Sequence, residues 1–169
     1  MDSYSDDHLP TGAAADAAIL KNVHVMAEPS ARWLLMVDGA ARGNPGDAGC
    51  GAAIYDENGI VVKELSKYLG RATNNVAEYE GLLMGLEALL ELGQKNVIVQ
   101  SDSQLMVRQL NGEYRVKDEK LKALFDHAMR LLRRFDSYRI LHVRREINKL
   151  ADRLANLGID QAIKRTDAG

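Results

Sequence analysis

The segment Leu34–Gly46 constrains this chain more than any other. Leu34-Leu35-Met36-Val37 are apolar without alternation, the pattern of a strand covered on both faces. Such a strand belongs inside a layered α/β sheet rather than at a solvated surface. Asp38 follows at what reads as its last position. The next residues hold Gly39, Gly43, Asn44, Pro45 and Gly46, so a loop is expected in which the backbone can turn tightly and approach a ligand. An acid at the end of a buried strand is costly unless something pairs with it. A lone Asp-Gly after a strand is as often a solvated turn, so the weight rests on the acids further along.

At 169 residues the chain can build one domain with its own core. No apolar run is long enough to cross a bilayer, and the acidic start Met1–Asp7 does not resemble a secretory signal. The lone cysteine, Cys50, excludes a disulfide framework or a cysteine metal site within one chain. A cytoplasmic protein is expected, monomeric, with no membrane and no obligate protein partner. Charge is unevenly spread. Residues 1–31 hold five acids and one base, for a balance of −4, and the remainder carries +2. If four acids of the remainder are gathered around metal ions, the rest of that surface carries +6. A basic surface around an acidic pocket suits a polyanionic substrate, although an ordinary mixed surface has the same balance.

Residues 1–31 read as an acidic, flexible extension in which Ala13–Leu20 could form a short helix, and residues 32–165 read as the folded domain. Gly49–Tyr55, a turn at Asn58-Gly59, and Ile60–Tyr68 continue from the first strand as an antiparallel meander. Thr73 can cap a helix, a role Asn74 or Asn75 could share, that runs to about Leu92 and stops at Gly93. Glu78, Gly81, Leu82, Gly85 and Leu89 share one face of it, and the two glycines predict close approach to the sheet. Asn96–Gln100 is a second buried strand, followed by Ser101-Asp102-Ser103 and a helix to Leu110. Helices are expected over Asp118–Arg134 and from about Glu146 to Ile163, with a strand at Tyr138–Arg144 between them. His142 in that strand reads as structural. Asp152 falls near the start of the last helix, where an acid is favoured by the helix dipole whatever its role.

Asp38, Glu78, Asp102 and Asp152 thus come from the ends of two buried strands and the starts of two helices. If they converge, they repel one another unless cations bind between them. Hard oxygen ligands point to magnesium, with manganese as a substitute, rather than zinc. Two such ions roughly 3.5–4 Å apart suit in-line attack on a phosphodiester.

Four stretches carry a close resemblance to the ribonuclease H type 1 family: Asp38–Gly46, Thr73–Glu78, Ser101–Gln104 and Asn148–Asn156. The resemblance covers roughly Arg32 to Leu157. It implies a ribonuclease H-like α/β fold: a five-stranded mixed sheet, a three-strand antiparallel meander plus two parallel strands, with helices on both faces. It also implies endonucleolytic cutting of the RNA strand of an RNA–DNA hybrid with two magnesium ions, leaving 5′-phosphate and 3′-hydroxyl ends. By the same resemblance Asp38, Glu78, Asp102 and Asp152 are the catalytic metal ligands. Asn44, Asn74, Asn75 and Gln104 become minor-groove contacts able to read 2′-hydroxyls. Arg144, Arg145 and Lys149 are expected to hold phosphates.

Two features depart from many members of that family. The link before the fourth acid, Arg144–Asn148, is short and has no histidine, so no histidine is assigned a catalytic role. The segment Asn111–Lys120 lacks a long basic protrusion, and Trp33 is the sole tryptophan. Rival readings are another nuclease or strand-transfer enzyme of the same fold group, and a non-catalytic hybrid-binding module. The Asn74-Asn75-x-x-Glu78 and Asp102-Ser103-Gln104 motifs, and the lack of extra DNA-binding domains, favour the hybrid nuclease over the first, and the presence of all four acids favours it over the second.

Overall fold

A computed structural model describes residues 32–168. The expectations for residues 1–31 lie outside the described residues. Strands β1 (Trp33–Gly43), β2 (Gly46–Tyr55) and β3 (Val61–Ala72) lead into helix α1 (Asn74–Glu91). Strand β4 (Asn96–Ser101) and helices α2 (Gln104–Leu110) and α3 (Glu119–Leu132) follow. Strand β5 (Ser137–His142), a single 3-10 turn at Arg145–Ile147 and helix α4 (Lys149–Ala168) complete the domain. The five strands form one sheet in the order β3-β2-β1-β4-β5. β1, β2 and β3 pair antiparallel, whereas β4 runs parallel to β1 and β5 parallel to β4. This is the mixed ribonuclease H-like sheet expected from the sequence.

β1 lies at the centre because both of its faces are apolar. Leu35 and Val37 point into a cluster with Tyr79, Leu82 and Leu86 of α1 and Ala128 and Leu132 of α3. Leu34 and Met36 point the other way, against Ala151 and Leu154 of α4. Helices therefore cover both faces, and each buried leucine contributes about 1.5–3 kcal/mol. No helix among the described residues is long and apolar enough to cross a membrane.

The expected loop after Asp38 is strand instead. β1 continues to Gly43, paired with β2 from Asp38↔Gly51 to Gly43↔Gly46, and only its parallel pairing with β4 stops at Val37↔Ser101. The expected tight turn is confined to Asn44-Pro45, with Gly43 at φ 96°, and Gly39 serves close packing instead. A Cβ on Gly39 would stand 2.3 Å from the backbone nitrogen of Glu78, and one on Gly51 would stand 2.4 Å from the carbonyl oxygen of Ala151. The glycines of α1 behave as its helical face predicted. A Cβ on Gly81 would meet the Asp38 carbonyl oxygen at 2.8 Å, and one on Gly85 would meet Leu35 at 2.5 Å. The final helix begins later than expected, at Lys149, because a 3-10 turn takes up Arg145–Ile147.

Candidate active site

Asp38 sits where the parallel ladder between β1 and β4 ends, and it is buried, 5% exposed. Asp102 is the first residue beyond β4, on the neighbouring strand. Glu78 lies in the first turns of α1, drawn against β1 by the missing side chain of Gly39. One carboxylate oxygen from each of Asp38, Glu78 and Asp102 lies within 4.8 Å of the others. Asp152, in the first turn of α4, is exposed, and it acts on the Asp38 carboxyl, raising its pKa. The four acids picked out from the sequence thus meet at one end of the sheet, three of them as a tight group.

Their electrostatics are those of a site built for cations. Burial, then the charge of Asp102, then the hydrogen bond and charge of Asp152 push Asp38 up to about 8, against the pull of a 2.9 Å hydrogen bond from the Gly39 N–H. Burial and the charges of Asp38 and Asp102 hold Glu78 well above the usual carboxylate range. Asp102 is raised by burial, opposed by a hydrogen bond from Asn148 and by the charges of Arg145 and His142. Glu78 Oε2 is buried without a hydrogen-bond partner. Crowded, desolvated carboxylates with an orphaned oxygen fit a divalent metal site.

Asn148 is a residue whose role the sequence reading missed. It is 1% exposed, donates from Nδ2 to the Val37 carbonyl oxygen at 2.8 Å, and pulls the Asp102 carboxyl down against the effect of burial. It therefore ties the last link to the end of the parallel ladder, beside the acids. Its position just ahead of a helix marks it equally well as an ordinary cap.

The expected substrate contacts divide into two groups. Asn44 and Asn74 lock two segments together: Asn44 Oδ1 accepts from the Asn74 N–H at 3.1 Å, and Asn74 Oδ1 accepts from the Ala41 N–H at 3.0 Å. Asn44 and Asn75 line a groove of about 530 Å³ with Thr73, Arg71 and Lys120. Arg71 was not singled out from the sequence, where an arginine at a strand end carries no local signal. Gln104 is exposed as the first residue of α2. Arg144, Arg145 and Lys149 are exposed on the link into α4, and the charge of Arg145 acts on Asp102.

A family model described as "Reverse transcriptase-like" matches residues 36–158. The curated Ribonuclease HI of Halobacterium salinarum is 42% identical over 125 residues, covering 74% of this chain and 63% of its own length. The crystal structure of RNase H1 from that archaeon superposes with a TM-score of 0.75 at 41% identity, over 77% of this chain and 98% of that one. The N-terminal RNase H domain of Rv2228c from Mycobacterium tuberculosis gives 0.77 at 40% identity, over 81% and 99%. LC11-RNase H1, solved in complex with an RNA/DNA hybrid, gives 0.75 at 43% identity, over 78% and 99%. This chain spans less than two thirds of the length of the curated Halobacterium relative. With four acids converging on a sheet of this topology and these likenesses beside them, the chain belongs to the ribonuclease H type 1 family.

Proposed function

We propose that this chain is an endoribonuclease that hydrolyses the RNA strand of RNA–DNA hybrids. The observation that carries the reading is the group Asp38, Glu78 and Asp102, desolvated and within 4.8 Å of one another, with Glu78 Oε2 unpartnered. Cations bound between these carboxylates would relieve their mutual repulsion. The solved complex of LC11-RNase H1 with its hybrid supports this substrate class.

Asp38, Glu78, Asp102 and Asp152 would hold two magnesium ions, or manganese in their place, which when bound acidify a water and stabilise the leaving oxygen. The water's oxygen becomes part of a 5′-phosphate, and the broken P–O3′ bond leaves a 3′-hydroxyl. The chain's own residues set the geometry. The Gly39 N–H fixes one oxygen of Asp38, and Asn148 fixes Asp102 against the carbonyl end of β1. Asn44, Asn74, Asn75 and Gln104 would meet 2′-hydroxyls of the shallow minor groove, a contact that distinguishes RNA from DNA. Arg144, Arg145 and Lys149 on one side of the acids, and Arg71 and Lys120 on the groove, supply cations for the phosphates. The lone thiol of Cys50, free and buried, fits a reducing cytoplasmic compartment.

Side-by-side digestion of a hybrid, a double-stranded RNA and a branched DNA tests the reading. The hybrid alone is expected to be cut efficiently. Preferential cutting of branched DNA would assign the chain to the strand-transfer and resolvase side of this fold group.

A further inference from the structure

Asp152 is the exposed member of the four acids, yet it stands at the foot of a ladder of polar contacts between α4 and β1. Asn156, one turn further along α4, donates from Nδ2 to the Asp152 carbonyl oxygen at 3.1 Å and to Asp152 Oδ1 at 3.3 Å. Arg42 donates from Nη2 to Asn156 Oδ1 at 3.4 Å and to Asp160 Oδ1 at 2.7 Å. Asp152, Asn156 and Asp160 follow one another at four-residue intervals and so form a single stripe along α4. Asp38 and Arg42 are likewise four apart on β1. The carboxyl of Asp38 meets Asp152 at one end of the ladder, and the guanidinium of Arg42 meets Asn156 and Asp160 at the other.

Donor and acceptor chemistry sets the direction of this ladder. A guanidinium only donates, so the side of the Asn156 amide facing Arg42 must be its oxygen. The amide nitrogen is then left facing Asp152, where it donates to the carboxylate. Asp160 gives Arg42 its strong, charge-assisted partner and holds the guanidinium in place. We propose that Asn156 is a positioning residue for the fourth acid, and that Arg42, anchored by Asp160, selects the amide orientation in which Asn156 orients Asp152. The proposal rests on the reading of Asp152 as a metal ligand. Asn156 itself acts through Asp152.

The test uses the full chain, the single variants Asp152→Asn, Asn156→Ala and Arg42→Ala, and the Arg42/Asn156 double variant. Two measurements are made on each: manganese binding to the substrate-free protein by calorimetry, and hybrid cleavage kinetics giving kcat and KM. Alanine is the best helix former, so Asn156→Ala is expected to fold, which circular dichroism checks. Asn156→Ala is expected to move metal affinity or kcat, whichever Asp152→Asn moves, in the same direction, by roughly tenfold, as is usual for residues that orient a metal ligand. KM should stay unchanged. Arg42→Ala should give a smaller loss of the same kind, and adding it to Asn156→Ala should cost nothing more, because it acts only through that amide. If Asp152→Asn leaves both quantities at wild-type values, the reading of Asp152 as a ligand fails, whatever Asn156 does. If Asp152→Asn is impaired and Asn156→Ala matches wild type, the proposal alone is overturned. A rise in KM at constant kcat in Asn156→Ala also overturns it, since that marks a substrate contact. Fully additive losses in the Arg42/Asn156 double variant overturn the role given to Arg42.

Discussion

Replacing Asp38 by asparagine should abolish activity and stabilise the metal-free protein. The folded chain keeps its proton on Asp38 up to about pH 8, against an ordinary value near 3.8. Between those values the native state binds more protons than the unfolded chain, so stability is highest at the acidic end and falls as pH rises. Each pH unit in that window costs about 1.4 kcal/mol, for a ceiling of about 4 kcal/mol at neutral pH. Glu78 and Asp102 share the crowding, and one substitution relieves only part of it. Asparagine keeps a side-chain oxygen able to accept from the Gly39 N–H, so no bond need be lost. The expected gain is about 1–3 kcal/mol near pH 7.5 in chelator, shrinking to below about 1 kcal/mol near pH 4.5. Urea unfolding of both proteins at the two pH values measures it. Divalent metal should restore the parent and not the variant. A variant no more stable than the parent at pH 7.5, with a parent equally stable at both pH values, would refute the account of the site's electrostatics.

Three further outcomes are expected. Gly39→Ala drives a Cβ to 2.3 Å from the backbone of Ala77 and Glu78, which should cost about 1–3 kcal/mol and cut activity at least about tenfold by moving Glu78 from Asp38. A thermal melt and cleavage rate equal to wild type would contradict that packing. Arg145→Ala should raise KM more than it lowers kcat and reduce the salt slope by roughly 1, equally on two unrelated hybrids. An unchanged slope with normal KM would make it a solvated surface arginine. A chain beginning at Arg32 should keep the specific activity and melting temperature of the whole, since β1 starts at Trp33. A melting temperature many degrees lower would give residues 1–31 a structural part.

Much of the fold was legible because the decisive signals were local. The unbroken apolar run Leu34–Val37 announced a strand buried on both faces, and the sheet covers it with α1 and α3 on one side and α4 on the other. Thr73 announced the start of α1, and its side chain does accept from the Val76 N–H. The acids were legible because a carboxylate at a buried strand end is costly in isolation. Where the reading failed, the cause was distant in the chain. Gly39 resembled the start of a loop because its packing partner, the start of α1, lies some forty positions on. Asn148 reaches Val37 across 111 positions, and Arg42 reaches Asp160 across 118. Contacts of that kind leave no periodicity and no capping pattern, so only the assembled sheet reveals them.

The most direct test of the central claim is a cleavage assay on an RNA–DNA hybrid with each strand labelled separately, run in magnesium, in manganese and in chelator. The account predicts internal cuts in the RNA strand only, ending in 5′-phosphate and 3′-hydroxyl, in either metal and not in chelator, and their disappearance in Asp102→Asn. Cutting of the DNA strand, or RNA cleavage that persists in chelator or in Asp102→Asn, would contradict it.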